Sequence, residues 1–193
     1  MIPAKPEDKQ VIVDILAKSF DENKSVNYVV KQDKKRTRRV RRLMNYSFEL
    51  CRHSGEIYLS DDKKGVALLL LPHKKKISLW NIWNDLHLAL GAIGVTRVAK
   101  VLKREAKISK YHPKEFIYVW YIGVEPGEQG KGIGSDLMKG IIDIGNQRQL
   151  PLYLETSTEK NLLFYERFNF KIYQELDFGH ILYLFRKDPD FKT

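Results

Sequence analysis

The sequence predicts an α/β (α+β) fold, with a mixed, mostly antiparallel, twisted sheet of six to seven strands flanked by helices. Residues 115–124, EFIYVWYIGV, are almost continuously apolar, as a strand covered on both faces would be. A glycine-rich loop and an apolar pattern with helical spacing follow, which indicates a strand–loop–helix–strand unit. Other short β-prone runs, separated by turn residues, lie on both sides of this unit and favour antiparallel neighbours.

The N-terminal third predicts a short strand, two helices and a hairpin. IPAK can form a strand, and a helix fits from Pro6 to Phe20, because proline is favoured in a first helical turn. A second helix is predicted from Lys34 to His53 and stops at Gly55. The segment 56–71, EIYLSDDKKGVALLLL, has β-prone runs on either side of a charged turn, which is typical of a hairpin.

The rest of the chain alternates helices and strands. Residues 77–110 predict two helices broken near Gly91–Gly94, and a further helix follows the glycine-rich loop. PLYLE predicts a strand, and TSTEKNLLFYERF predicts a helix opened by a capping box of Thr156 and Glu159. KIYQEL and ILYLFR predict two final strands. No repeat or linker-like segment interrupts the pattern, so one domain over residues 1–193 is expected.

Composition and charge restrict the class of protein. The one cysteine, Cys51, cannot form an internal disulfide, and no Cys/His cluster has zinc spacing. The first residues have no apolar signal core, and uninterrupted apolar runs such as Val66 to Leu71 are far shorter than a membrane span, so a soluble cytoplasmic protein is expected. Residues 31–42 hold eight basic residues and one aspartate, which is most of the net charge of +10. A solvated basic face is the favoured interpretation, and a surface for RNA or acidic partners is the alternative.

The loop EQGKGIGSDL, residues 128–137, carries the functional interpretation. A P-loop requires Lys followed by Ser or Thr, whereas Lys131 precedes Gly132. A dinucleotide-binding loop agrees with the strand–helix context and with Glu155 at the end of the next strand, but the glycine spacing is not G-x-G-x-x-G. A pyrophosphate cradle of the form Q/R-x-x-G-x-G/A fits Gln129, Gly132 and Gly134, and its backbone N–H groups and helix dipole would bind the anion.

Several segments besides this loop resemble the GNAT superfamily of N-acetyltransferases, which binds acetyl-CoA through such a cradle. They are YVWYIGV, PLYLETS and EKNLLFYERFNF, together with the N-terminal PEDKQVIVDILAKSF. VWYIGVEP, LYLETSTEKN and FYERFNF look like the branch that includes puromycin N-acetyltransferase. The resemblance implies an enzyme that moves an acetyl group from acetyl-CoA to a primary amine of a small molecule, by direct attack in a ternary complex.

The resemblance also implies where acetyl-CoA binds. The strand ending at Val124 would splay from the PLYLE strand, so that the pantetheine arm meets the backbone of Ile122, Gly123 and Val124, with the Val124 N–H as oxyanion donor. Tyr165 would be the general acid, because a phenol with a reference pKa of about 10 can protonate a thiolate. Asn161, one helical turn earlier, would bind the pantetheine. The pyrophosphate would contact Gln129, Gly130, Lys131, Gly132, Ile133, Gly134 and Ser135.

The sequence defines the general base less sharply. Tyr118 stands where some family members carry a glutamate, which leaves Glu155, Tyr118 or a water chain to remove the amine proton. His73, His87 and His112 are further candidates. Asn169 replaces a glycine that is common in the family, which asparagine can do because it tolerates the left-handed conformation.

The acceptor and the partners follow from the aromatic residues and the charge. A pocket built from Trp80, Trp83, Tyr118 and Trp120 would favour a small amine with an apolar body. No nucleic-acid or membrane partner is favoured, and a monomer or homodimer is expected. Two other functions stay open: a catalytically idle GNAT-fold protein that binds acyl-CoA and contacts nucleic acid or protein through its basic helix, and an NAD-dependent oxidoreductase.

Overall fold

The computed structural model describes residues 1–74 and 88–190, which contain a sheet of seven strands. The strands are β1 Ile2–Pro3, β2 Gly55–Leu59, β3 Gly65–Leu70, β4 Ile117–Val124, β5 Leu152–Thr156, β6 Lys171–Asp177 and β7 Ile181–Lys187. They lie in the order β1-β2-β3-β4-β5-β7-β6. All neighbours are antiparallel except β4 and β5, which are parallel. The predicted mixed, mostly antiparallel sheet is therefore confirmed.

Six α-helices occur in the described residues. They are α1 Lys9–Ser19, α2 Lys24–Val29, α3 Arg36–Ser54, α4 Val95–Ser109, α5 Ile133–Arg148 and α6 Leu162–Glu166. Two of them begin after a 3-10 turn, Pro6–Asp8 before α1 and Glu159–Asn161 before α6, and a π-helical turn, Ala89–Ile93, precedes α4. Within the described ranges, none of the helices combines the length and the apolar character that crossing a membrane requires.

The helices form one apolar layer on each face of the sheet. On the first face, α1 and α3 pack Leu16 and Phe48 into a buried cluster with Leu68 of β3. On the second face, α5 packs Leu137 into a cluster with Leu69, the next residue of β3. Successive strand residues point to opposite faces, so a central strand between two layers must be apolar throughout. That requirement explains the nearly continuous apolar runs in β3 and β4.

Two local features differ from the sequence prediction. The capping box of Thr156 and Glu159 is wrong, because β5 continues through Thr156, whose hydroxyl accepts a hydrogen bond from the Thr158 N–H at 3.1 Å. The short helix α2 was not predicted. It is capped by Asn23, whose side-chain oxygen accepts from the Val26 N–H at 3.1 Å.

Candidate active site

A cleft opens in the centre of the sheet because β4 and β5 are paired only where they begin. Ile117 is in register with Leu152, and Tyr118 with Tyr153, and the described strands are not paired further along. Beyond Tyr118 the facing edges of the two strands are therefore open. This is the splayed central pair that the resemblance implies.

A β-bulge in β4 gives the physical cause of the splay. Leu68 of β3 pairs with Tyr121 and Leu69 pairs with Val119, so Trp120 is an extra residue in β4. A bulge bends its strand and increases the local twist. Because the extra residue lies two positions after the last β4–β5 pair, the bend turns β4 away from β5 at that point.

The backbone of β4 points into this cleft at Ile122 and Val124, two of the three predicted positions, whereas the backbone of Gly123 faces β3. The Glu125 N–H donates to the Lys64 carbonyl beside β3 at 2.8 Å. Successive strand residues direct their N–H and C=O groups to opposite edges, so the backbone of Val124 faces the cleft, and so does that of Ile122. Gly123 serves a different contact, because a Cβ added there would lie only 2.8 Å from Ser19 Oγ of α1.

The glycine-rich loop ends in an open helix N-terminus. Gly132 adopts φ +89°, and its carbonyl accepts the first α5 hydrogen bond from the Asp136 N–H at 3.0 Å. The N–H groups of Ile133, Gly134 and Ser135 therefore have no partner within the helix, and no side chain caps it. Apart from Gly132 itself, its chain neighbours and the backbone of α5, no atom of the described residues lies within 4 Å of the position that a Cβ would take at Gly132. This open set of aligned donors fits an anion such as the pyrophosphate of acetyl-CoA.

Charged side chains surround the same loop. Lys131 Nζ lies 2.8 Å from one oxygen of Glu128, and Lys64 Nζ lies 3.0 Å from the other. The two ammonium groups hold the pKa of Glu128 below its usual value. The neighbouring Gln129 is exposed. Two cations against one carboxylate leave the rim of the loop positive, which favours an anionic ligand.

Tyr165 packs on the face of the sheet that α5 covers, and Asn161 lies in the 3-10 turn just before its helix. The Tyr165 ring packs 5.4 Å from that of Phe185 and 6.2 Å from that of Phe170. This burial raises the Tyr165 pKa to about 12, above the reference value of about 10. Asn161 is half-buried in the 3-10 turn, with φ −90° and ψ −8°, so the two residues lie in consecutive helical segments.

On the opposite face of the sheet, three polar side chains are connected by hydrogen bonds. The Tyr118 hydroxyl donates to Oε2 of Glu155, and His112 Nε2 lies 2.9 Å from Oε1 of the same carboxylate. The side chains of His112 and Glu155 are only 12% and 6% exposed. Burial and the nearby carboxylate raise the pKa of Tyr118 well above its ordinary value, so this phenol stays neutral and donates to Glu155.

Nothing in the sequence distinguishes His112 from the other candidate histidines. It precedes β4 in a turn, and its place beside Glu155 depends on the fold. Its ring lies 4.8 Å from that of Phe116 and 5.6 Å from that of Tyr153, so aromatic contacts fix its position. His73 is exposed in a 3-10 turn, and His87 lies outside the described residues.

Aromatic side chains adjoin Tyr118 on this face of the sheet. Trp120 stacks on Tyr118, with ring centroids 6.5 Å apart and an interplanar angle of 27°. Tyr46 of α3 meets Trp120 edge-on at 6.4 Å, a contact that the sequence did not indicate. Trp80 and Trp83, the other predicted pocket residues, lie outside the described residues.

The helix α2 and its cap contact the chain just beyond the end of β5. Ser25 Oγ lies 3.1 Å from Ser157 Oγ, just beyond β5, and 3.5 Å from His180 Nε2 in the β6–β7 turn. The Asn23 amide lies 3.5 Å from Thr158 Oγ1. These contacts join the N-terminal helices to the end of β5. In the described part of the chain, no group of three or more His, Cys, Asp or Glu residues could hold a metal ion.

Comparison with known proteins relates part of this chain to acetyltransferases. Residues 79–170 match the model of the acetyltransferase (GNAT) family. A stretch of 71 residues is 39% identical to an N-acetyltransferase of Schizosaccharomyces pombe that is described as uncharacterized, and it covers 37% of this chain and 28% of that protein. Residues 79–170, just under half of the chain, are therefore similar to the GNAT acetyltransferases.

Solved structures share the fold over almost the whole chain. A histone acetyltransferase HPA2-related protein from Corynebacterium glutamicum aligns over 100% of this chain and 97% of its own, with a TM-score of 0.70 and 18% identity. Arylalkylamine N-acetyltransferase 2 from Aedes aegypti aligns over 98% of both chains, with a TM-score of 0.65 and 13% identity. The C-terminal condensation domain of Ebony, in complex with beta-alanyl-dopamine, aligns over 97% of both, with a TM-score of 0.68 and 10% identity. At these identities the likeness concerns the fold alone.

Proposed function

We propose that the protein is an acetyl-CoA-dependent N-acetyltransferase that acts on a primary amine of a small molecule. The observation that carries this proposal is the open cleft between β4 and β5. One face of the sheet presents an anion cradle at α5, and the other presents the chain formed by Tyr118, Glu155 and His112. A reaction between a carrier-bound thioester and an amine needs both sides to meet in one cleft.

Binding and orientation are supplied by the backbone. Acetyl-CoA would bring an activated acetyl thioester and a pyrophosphate. The N–H groups of Ile133, Gly134 and Ser135 would bind the pyrophosphate, while those of Ile122 and Val124 face the cleft and would orient the arm. The Val124 N–H would also donate to the thioester oxygen as negative charge develops there.

The proton of the amine would leave through the acceptor side. Tyr118 is held neutral and already donates to Glu155, so its oxygen can accept a proton from the amine as its own proton moves to the carboxylate. His112 contacts the other carboxylate oxygen and orients it. This relay replaces the glutamate that some GNAT members carry at the position of Tyr118.

Tyr165 would act on the leaving-group side. With a pKa of about 12, its hydroxyl stays protonated throughout the neutral range and can donate to the sulfur. The high pKa makes complete proton transfer to a thiolate unfavourable, because an ordinary thiol has a pKa of about 8.5. Tyr165 would thus stabilise the leaving thiolate mainly as a hydrogen-bond donor.

The idle, binding-only alternative depends on a free basic surface, and much of the 31–42 segment is already engaged within the chain. The contacts that engage it are those of Lys31 and Arg39 with Asp33, Arg36 with Asp21, Arg41 with Asp14, and Arg42 with the Gly91 carbonyl. Lys34, Lys35 and Arg38 are exposed. Contacts within the fold thus engage five of the eight basic residues of this segment, which favours the enzyme.

A panel of primary amines, with CoA release as the readout, tests the proposal. Glu155→Gln should lower kcat by about a hundredfold or more, the usual contribution of a positioned acid or base, and leave CoA affinity unchanged. Glu175→Gln is the matched control, because it removes the same charge from an exposed position on β6. Wild-type protein that binds CoA but acetylates no amine would support the binding-only alternative, and binding of NAD in place of CoA would support the oxidoreductase.

Four more specific expectations are part of this proposal and are based on the sequence alone. They are the likeness to the puromycin N-acetyltransferase branch, the single domain, the cytoplasmic location, and the monomeric or homodimeric state. The relative amounts of acetylated puromycin and acetylated simple arylalkylamines in the same panel would test the first of them.

A further inference from the structure

Arg104 of α4 is buried with part of its hydrogen-bonding capacity unused. Its side chain is 9% exposed, and Nη1 contacts Glu105, whose own side chain is 55% exposed. Among the described residues, the buried Nε has no hydrogen-bond partner. A guanidinium is always charged and carries five N–H donors, so an incompletely paired one is costly to bury. An anionic ligand would supply the missing partner.

The position of Arg104 connects it to the acceptor side of the cleft. One turn further along α4, about 6 Å away, Ile108 packs against Leu184. Leu184 is the register partner of Glu155. The charge of Arg104 also acts on the Tyr118 hydroxyl and opposes the rise in its pKa. Arg104 thus lies beside the proposed proton relay.

Aromatic rings flank the guanidinium. Its central carbon lies 5.9 Å from the Tyr28 ring centroid and 5.4 Å from that of Phe178. The Tyr28 ring in turn meets that of His180 at 5.6 Å, and Lys100 Nζ lies 4.1 Å above it. These contacts hold the guanidinium in one orientation and give the surrounding wall an apolar lining.

The electrostatic environment differs between His180 and the proposed relay of Tyr118, Glu155 and His112. Burial lowers the pKa of His180, and Arg104, Lys24 and Lys100 lower it further, against an opposing effect of Asp177. The environment of His180 is therefore positive. Around the relay, the environment is more negative, because the carboxylates of Glu155 and Glu105 lie near each other. Burial and the charge of Glu155 raise the pKa of Glu105, and the charge of Arg104 acts against this rise.

We propose that the acceptor is an amine that also carries a carboxylate, which Arg104 binds while the amine meets the Glu155 relay. This inference rests on the proposed acetyltransferase function and names its substrate class. Nη1 is occupied by Glu105, so the free edge of the guanidinium is the one that includes Nε. An edge formed by two N–H groups suits the two oxygens of a carboxylate.

Matched pairs of acceptors test the inference: phenylalanine with phenethylamine, tyrosine with tyramine, and lysine with cadaverine. For each pair, the ratio of kcat/KM for the amino acid to kcat/KM for its decarboxylated amine is measured. Wild-type protein should prefer the amino acid, and Arg104→Gln should lower the ratio at least tenfold, as expected for a lost charge-assisted contact. Arg104→Lys should retain part of the preference. Lys103→Gln, which removes an exposed cation from the same helix, should leave the ratio unchanged.

Two further measurements keep the inference testable if a variant fails to fold or if no turnover occurs. Competitive inhibition of the wild-type protein by 3-phenylpropionate, and not by 3-phenylpropanamide, would support the carboxylate site. Calorimetric binding of the same pairs to CoA-saturated protein reports the preference without turnover, so failure of catalysis is distinguished from failure of this inference. Equal ratios in wild type and Arg104→Gln, or equal binding of the amino acids and the amines, would overturn it.

Discussion

Replacing Gly132 with alanine tests the anion cradle, and Gly127 provides a matched control. Both glycines adopt φ +89°, and at either position a Cβ would meet no atom of the described residues within 4 Å beyond the adjoining backbone. Gly127 lies in the turn that leaves β4, where the Glu128 N–H donates to the Glu125 carbonyl at 3.0 Å. Gly132 caps α5 beside the free N–H groups. The two positions thus share a conformation and differ in their distance from the cradle.

The expected effect on stability is the same for both variants. Because no contact is strained, the cost comes from the left-handed backbone alone, which is about 1–2 kcal/mol for a residue with a Cβ. The effect on CoA affinity should differ. A shift of the cap at Gly132 would weaken at least one charge-assisted N–H contact to phosphate, worth about 1.5–3 kcal/mol. That loss corresponds to about a ten- to hundredfold weaker Kd.

Urea unfolding and calorimetric titration with CoA give the two quantities for each variant. Gly127→Ala should lose stability and keep the wild-type Kd, whereas Gly132→Ala should lose both. If Gly132→Ala bound CoA as tightly as Gly127→Ala, the loop would not be the pyrophosphate site, and the assignment of α5 as the cradle would be refuted.

Three other changes have defined outcomes. Tyr165→Phe should lower kcat by about a hundredfold while CoA affinity is retained. Because the pKa of Tyr165 is about 12, the pH–rate profile of the wild-type protein should show no alkaline decrease from this group below about pH 11. A decrease near pH 9 that is absent in the variant would contradict this. Asp33, whose pKa the Arg39 hydrogen bond lowers to about 2, should stabilise the fold above about pH 4 and cease to do so toward pH 2. The stability difference between wild type and Asp33→Asn in urea unfolding should therefore shrink over that window, and a constant difference would argue against the pairing. Burial raises the pKa of the Cys51 thiol, so it should react with a thiol reagent only as fast as the chain unfolds, and rapid labelling of the folded protein would show that it is accessible.

Elements with strong local patterns could be predicted from the sequence. A long apolar run predicts β4, and apolar residues at helical spacing after the glycines predict α5. The short helix α2 escaped prediction because six residues carry too little periodicity to outweigh a polar composition. The capping box failed because Thr156 also has a high β propensity, and pairing with β7 extends the strand through it.

Some residues of the candidate site could likewise be predicted from local sequence patterns, and others could not. The cradle and the Asn161–Tyr165 pair lie within short stretches of chain, so their spacing alone suggests them. His112 and Arg104 contact residues far away in sequence, on β5 and in the β6–β7 turn respectively, and no local pattern sets either of them apart from the other histidines and cations of the chain. Which polar residues meet across a sheet depends on strand order, and strand order is a property of the whole fold.

The single extra residue in β4 makes the cleft depend on how many residues the strand has, more than on which ones they are. A substitution at Trp120 would still leave two residues of β4 opposite one position of β3, and the bend would persist. Deleting that residue would restore regular pairing and allow β4 to stay beside β5 beyond Tyr118. The sheet would then gain hydrogen bonds and lose its binding cleft. In this segment, insertions and deletions are therefore the changes that evolution could least tolerate, even where they would make the sheet more regular.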